Sequence, residues 1–168
     1  MTTIHTKKFT LRPFRKGDEI SLRKNINDRK IARYTLTIPY PYTMKDARFW
    51  VSQHTKGKRK DKMTFVIDIG GEVAGSIGLS RDGHKAEMGY WLGVNYWGQG
   101  IMTQAVKRVM HYGFSELGLR RIYAGVFPAN KASAKVLEKA GLKLEGLVRK
   151  NHIKNGKPID ELLYAKVK

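Results

Sequence analysis

Glu87, Ser133 and His152 are the side chains whose types and settings suit proton transfer, and Gly98-Gln99-Gly100 is the segment suited to holding an anion. Glu87 stands beside apolar Met88 on an expected strand, a few residues before that glycine segment. A carboxylate bordering an apolar cleft can act as a base, although the same position also suits a strand residue facing water. His152 follows Arg149-Lys150-Asn151, and imidazole has an intrinsic pKa of about 6.5; a surface histidine in a basic segment fits equally. Ser133 lies in the first turn of an expected helix with Asn130 as its N-cap. Gly98 and Gly100 remove Cβ atoms where a strand gives way to a helix, so successive N–H groups can face an anion at the helix N-terminus. Two glycines also serve a plain tight turn. No Gly-Lys-Ser/Thr follows, so this is not a Walker A loop, and GxGxxG is absent. His5, His54, His84 and His111 are scattered without ligand spacing to a carboxylate, and no metal site is expected.

The 168 residues include 33 Lys and Arg against 14 Asp and Glu, a formal charge of +19. The length suits one globular domain, 1–168. The absence of cysteine excludes a disulfide scaffold, a thiol nucleophile and a Cys-ligated metal. It fits a reducing compartment, and a cytoplasmic protein is expected. No apolar run approaches the span of about 20 residues that crosses a bilayer, and the opening MTTIHTKKFTLRPF lacks a signal-peptide core. The charge points to an acidic partner: nucleic acid, a ribonucleoprotein surface or a phosphorylated cofactor. Solvated surface explains it as well, because the basic residues are spread along the chain. The densest run, Lys56–Lys62, reads as a loop or frayed helix end. No zinc finger, KH-type loop or RNP-like aromatic pair is present, so specific DNA or RNA readout is not expected.

These residues need elements to hold them. Residues 9–14 alternate like a strand, with Pro13 confining it to an edge or end. Asp18 is placed to cap a helix over 19–26, and Thr43 with Asp46 forms an approximate capping box for a helix over 44–56. Two prolines keep the IPYPY segment, 38–42, out of regular helix. Strands are expected at 63–69, 72–79 and 86–94, joined by Gly70-Gly71 and Arg81-Asp82-Gly83. A helical stripe then runs over 98–114, with Gly118 ending it. A strand over 121–127, a helix after Asn130 closed by Gly141, and strands at 142–148 and 159–167 joined by Asn155-Gly156 complete the order. This is an α/β (α+β) domain with a mixed sheet.

Several segments in order carry a resemblance: FTLRPF, IPYPYT before a helix, GYWL…YWGQGIMTQA, VFPANKASAKVLEKAGL and LEG…NGKPIDELLYA. Over nearly its whole length the chain resembles the GCN5-related N-acetyltransferase (GNAT) superfamily, and within it the Rim-type ribosomal-protein N-terminal acetyltransferases. The resemblance implies a mixed, mostly antiparallel central sheet flanked by helices and splayed at an acetyl-CoA site. It implies that Trp97, Gly98, Gln99, Gly100, Ile101, Met102 and Thr103 hold the pyrophosphate of acetyl-CoA. Trp91, Leu92, Gly93 and Val94 then line the pantetheine arm like an added strand edge. Trp97 stands where the general motif has Gln or Arg, and Met102 where it has Gly or Ala, so the Met102 side chain must point away from the pyrophosphate. Asn130 matches a cofactor-contacting residue, and Ser133 matches a residue near the sulfur. His152 falls in a strand where some relatives carry a carboxylate.

Acetyl transfer to an amine requires deprotonation of the amine, stabilisation of an oxyanion and protonation of the departing thiolate. Without cysteine, direct transfer in a ternary complex is expected. Glu87 and His152 are the candidate bases, Ser133 the candidate acid, and main-chain N–H groups around Leu92 to Val94 the oxyanion donors. Tyr40 and Tyr42 are the candidate wall of the acceptor groove. The expected acceptor is a protein N-terminal α-amine, with a ribosomal protein as its expected source, ribosome association through the basic surface and the enzyme acting as monomer or homodimer. Two alternatives are acetylation of a small amine, such as a polyamine or antibiotic, and a non-catalytic basic RNA- or ribosome-binding protein on the same fold.

Overall fold

The computed structural model describes residues 2–56 and 61–168. Its elements are β1 (Ile4–His5), β2 (Thr10–Arg12), α1 (Glu19–Ile26), α2 (Arg29–Ala32), α3 (Met44–Thr55), β3 (Lys62–Ile69), β4 (Glu72–Asp82), β5 (Lys85–Leu92), a 3-10 turn (Val94–Tyr96), α4 (Ile101–Ser115), β6 (Arg121–Val126), α5 (Lys131–Ala140), β7 (Lys143–Lys154) and β8 (Lys157–Val167). The strands form one eight-stranded sheet in the order β1-β2-β3-β4-β5-β6-β8-β7. β5 and β6 pair parallel, whereas β1–β2, β2–β3, β6–β8 and β7–β8 pair antiparallel. The sheet is mixed and mostly antiparallel, as expected. The chain divides into two compact units, one comprising the chain up to Leu79 with Tyr90–Ile101, the other Ser80–Gly89 with Met102–Lys168.

In the first unit, Phe14, Leu22, Ile26, Ile31, Tyr42, Ala47, Val51, Val66, Val73 and Trp91 form the buried cluster. The capping box is present: Thr43 N–H donates to Asp46 Oδ2 at 2.7 Å and Asp46 N–H donates to Thr43 Oγ1 at 3.2 Å. Those bonds satisfy two donors that an uncapped helix leaves unpaired; the Thr43 hydroxyl, donating to Asp46 Oδ2 at 2.6 Å, and then the Thr43 N–H hold the Asp46 carboxyl below its ordinary pKa. Asp18 does not cap α1 as expected. Its buried carboxylate is taken by Arg12, whose Nη1 and Nη2 donate at 2.8 and 2.9 Å, and by the N–H of Arg15 at 2.9 Å. Arg12 Nε also donates to Asp68. Burial alone lowers the guanidinium pKa; the bonds to Asp18 and Asp68 outweigh it and leave Arg12 above its ordinary value.

In the second unit, Met102, Ala105, Val106, Val109 and Met110 are buried along one stripe of α4. Asn130 caps α5, its Oδ1 accepting from Ser133 N–H at 3.2 Å, and Gly141 closes that helix in the left-handed region at φ 95°. Asn155 and Gly156 turn the β7–β8 hairpin with φ of 50° and 74°, the positive pair that such a turn requires.

Three expectations shift. The third strand of the meander ends at Leu92, because Tyr96 and Trp97 N–H bond back to Gly93 and Val94 carbonyls at 2.9 and 3.1 Å and wind 94–96 into a 3-10 turn. α2 has no counterpart among the expected elements; it is one short segment capped by Asp28, which accepts from Lys30 N–H at 2.7 Å. β7 runs to Lys154, well past 148, since its exposed polar residues conceal a strand that β8 pairs. Most of the basic run Lys56–Lys62 lies outside the described residues.

Candidate active site

The first unit carries the glycine loop and the strand that leads to it. Gly98 and Gly100 have φ of 75° and 73°, and Ile101 then begins α4. The first four N–H groups of a helix have no acceptor within it, and alternating left-handed glycines ahead of them turn further N–H groups the same way. The loop therefore fits a pyrophosphate. It is held from three sides. Trp97 Nε1–H donates to the Leu92 carbonyl at 2.7 Å, Gln99 Nε2 donates to the Asn95 carbonyl at 3.0 Å, and Lys8 Nζ donates to the Gln99 carbonyl at 3.0 Å. Trp97 remains 44% exposed.

Upstream, Trp91 and Leu92 are buried. Gly93 N–H donates to the Ala74 carbonyl at 2.8 Å, which commits one of the three main-chain donors expected for the oxyanion. Gly75 explains the close approach here: a Cβ on it would lie 2.5 Å from the Trp91 carbonyl oxygen. Asn25, buried on α1, donates from Nδ2 to the Val73 carbonyl at 2.8 Å. Sequence reasoning misses Lys8, Asn25 and Gly75. A lysine in a basic chain and an asparagine in a weakly amphipathic helix carry no local signal.

The second unit carries Met102, buried within α4, and Thr103 beside it. In the same unit the parallel register of β5 and β6 runs Lys85↔Arg121, Ala86↔Ile122, Glu87↔Tyr123 and stops there, although β6 continues to Val126. Met88 and Gly89 thus have no register partner on Ala124 and Gly125 among the described residues. The pairing of β5 with β6 ends ahead of Trp91–Val94, the stretch where the splay is expected. Glu87 is exposed, opposite Tyr123, between buried Ala86 and Met88. Asn130 and Ser133 are joined by the cap of α5. His152 Nε2 lies 2.9 Å from Glu161 Oε1, and Asn151 Nδ2 donates to Glu161 Oε2 at 2.7 Å. The His152 ring stands 6.5 Å from that of Phe127, three residues before Asn130. Glu161 is not singled out by the sequence, although it lies within the NGKPIDELLYA segment.

The two tyrosines of the IPYPY segment separate. Tyr42 is buried in the core of the first unit, where burial and nearby Asp46 push its phenol up to about 12. Tyr40 is 46% exposed, with the Arg29 guanidinium 5.1 Å from its ring centre. Among the described residues no group of three or more His, Cys, Asp or Glu could hold a metal ion, and no helix is long and apolar enough to cross a membrane.

Comparison with known proteins meets this geometry. The model of the acetyltransferase (GNAT) domain matches residues 8–143. The uncharacterized N-acetyltransferase p20 of Bacillus licheniformis is 29% identical over 173 residues, covering 100% of this chain and 97% of its own. In Escherichia coli K12, the ribosomal-protein-serine acetyltransferase is 32% identical over 74% of this chain and 70% of its own. The spermidine N(1)-acetyltransferase of that strain is 28% identical over 93% and 83%. Among solved structures, the microcin C7 self-immunity acetyltransferase MccE in complex with acetyl-CoA and AMP superposes with a TM-score of 0.86 at 25% identity, over 97% of this chain and 94% of that one. The chain belongs to the GNAT acetyltransferase family and is an N-acetyltransferase whose acetyl donor is acetyl-CoA.

Proposed function

We propose that the acceptor is the N-terminal α-amine of a protein, with a ribosomal protein as the favoured substrate. One observation carries this reading. In the first unit, which bears exposed Tyr40, the carboxylates of Asp18, Glu19, Asp28, Asp46, Asp68 and Glu72 are each already engaged by a cation, a main-chain N–H or a capping hydroxyl, and Asp61 also has a partner. A polyamine carries several positive charges and needs several free carboxylates to offset its desolvation; exposed Glu87 of the second unit would supply one. A peptide presents one amine of pKa about 7.7–8.0 and needs no such pocket. A ribosomal acceptor also supplies an RNA-rich setting for the charge of +19.

Acetyl-CoA, when bound, supplies a thioester whose carbonyl carbon takes the amine lone pair as the carbon–sulfur bond breaks. His152 accepts the amine proton, and the Ser133 hydroxyl protonates the departing sulfur and regains its proton from water. The loop Trp97–Thr103 holds the pyrophosphate, Asn130 and the stretch Trp91–Val94 the pantetheine arm. Glu87 is the second candidate base, and Tyr40 the aromatic wall for the peptide end.

The spermidine relative favours a second reading, acetylation of a polyamine. The two separate in one assay. Peptides varied at their first two residues, and spermidine, are each supplied with acetyl-CoA, and the acetyl group is located by mass spectrometry. We expect transfer to the peptide α-amine with a higher kcat/KM than for spermidine. Preferred turnover of spermidine, or transfer only to lysine side chains, overturns the proposal.

A further inference from the structure

β7 and β8 are out of step where they carry His152. Val148 pairs with Glu161 and the next pair is His152 with Ile159, so four steps along β7 match two along β8. The extra length is a bulge, a device that re-aims a side chain. Lys150 within it takes φ of 51°, a conformation uncommon for residues other than glycine. Its N–H donates to Asp160 Oδ1 at 2.8 Å, so the shorter strand pins the bulge from across the ladder. The consequence is that Asn151 and His152 both reach the carboxylate of Glu161, one to each oxygen. The Glu161 side chain is 14% exposed and that of His152 27%.

A glycine makes room for this carboxylate. A Cβ on Gly125 of β6 would lie 1.7 Å from Glu161 Oε1 and 2.3 Å from Cδ. Gly125 has no positive φ, so its backbone conformation is open to other residues and only the space excludes them. A carboxylate accepts hydrogen bonds and does not donate them when ionised. Asn151 Nδ2 also stands 3.3 Å from His152 Nε2, but its closer bond is to Glu161; against the acceptor-only carboxylate at 2.9 Å the bond network assigns the proton of neutral His152 to Nε2 and the lone pair to Nδ1.

We propose that Glu161 is a positioning residue that holds His152 through Nε2 and leaves Nδ1 as the atom that accepts the amine proton, with Gly125 as the gap that admits it. This rests on the reading of His152 as the base. As the nitrogen–carbon bond forms and the carbon–sulfur bond breaks, the amine proton passes to Nδ1. The resulting imidazolium is balanced by the Glu161 carboxylate, as an orienting carboxylate does for other histidine bases.

The test measures acetyl transfer to a peptide by His152→Ala, Glu161→Ala, Glu161→Gln, Gly125→Ala and the His152→Ala/Glu161→Ala double variant. We expect Glu161→Ala to lower kcat by about tenfold or more while the KM for acetyl-CoA stays within about twofold. Glu161→Gln keeps an acceptor for Nε2–H and recovers much of the loss. Gly125→Ala imitates Glu161→Ala with the glutamate still in the chain, because the flexible carboxylate swings aside. The double variant falls no further than His152→Ala. Unchanged kcat in His152→Ala overturns the base assignment and this proposal with it. A loss in His152→Ala with none in Glu161→Ala overturns the positioning role alone. The ¹⁵N shifts of the His152 ring in the enzyme without substrate read the same contact apart from turnover: they move in Glu161→Ala and in Gly125→Ala, and shifts unmoved in both also overturn the role.

Discussion

Trp97 donates its indole N–H to the main-chain carbonyl of Leu92 at 2.7 Å, tying the glycine loop to the end of the strand that precedes it. The residue that departs from the general motif thus acts here as a staple. A neutral hydrogen bond contributes about 1 kcal/mol net, which corresponds to about fivefold in affinity. Trp97→Phe keeps most of the aromatic cover and removes only the donor. The KM for acetyl-CoA and the calorimetric Kd for CoA should both rise about fivefold, and unchanged values would remove the staple from the account.

Gly98 and Gly100 sit at φ of 75° and 73°, and a Cβ at either position would have no neighbour within 4 Å. Alanine there meets backbone strain and no collision, at about 1–2 kcal/mol each. Gly89 has equal space and no positive φ. Gly98→Ala and Gly100→Ala should lower Tm by a few degrees, on the order of 2–4 °C per kcal/mol for a chain of this size, whereas Gly89→Ala should not. Equal melting temperatures for all three would show that conformation is not what these positions demand.

The parts of this protein that are readable in advance are those with local causes. Thr43 with Asp46, Asn130 with Ser133, and Gly141 act within three or four residues of themselves, and each holds in the structure. Asp18 fails as a cap because Arg12 claims its carboxylate, an interaction with no signature at a separation of six residues across a proline. The glycine loop is legible because the backbone conformation restricts the residue type. The contact of His152 with Glu161 is not, since it depends on a bulge whose residues, Arg149 to Asn151, read only as a basic surface. Gly125 is equally silent: its reason lies on another strand.

Asn130 and Ser133 share one hydrogen bond but should separate experimentally. The cap uses the Ser133 main-chain N–H, which Ser133→Ala retains. Asn130→Ala loses the cap and should cost about 1 kcal/mol of stability. Ser133→Ala should instead lower kcat by about tenfold or more. Stability from urea unfolding and turnover with a peptide acceptor decide it; full turnover in Ser133→Ala ends its role as the acid.

Arg12 is the buried hub of the first unit, bonded to Asp18, Asp68 and the Pro13 carbonyl. Removing one partner of a buried ionic cluster leaves the others uncompensated, at about 3–5 kcal/mol. Arg12→Met should therefore destabilise far more than Lys24→Met, which breaks only the exposed pair with Glu72 and should cost under about 1 kcal/mol. Similar urea midpoints for the two variants would contradict the ranking.

Tyr42 gives stability a dependence on alkaline pH. Its phenol is pushed up to about 12, first by burial and then by the charge of Asp46, against about 10 in the unfolded chain. A folded-state value above the unfolded one gives a contribution that is complete below about pH 10 and lost as pH rises toward 12. Tyr42→Phe has no proton to lose, and its urea midpoint should gain on that of the wild type between pH 8 and pH 11. The difference amounts to roughly 1 kcal/mol at pH 11. Lysines and the remaining tyrosines titrate in both proteins, so the comparison cancels them. A wild-type-to-variant difference that stays constant across that range would show that the buried ring ionises as freely as an exposed one.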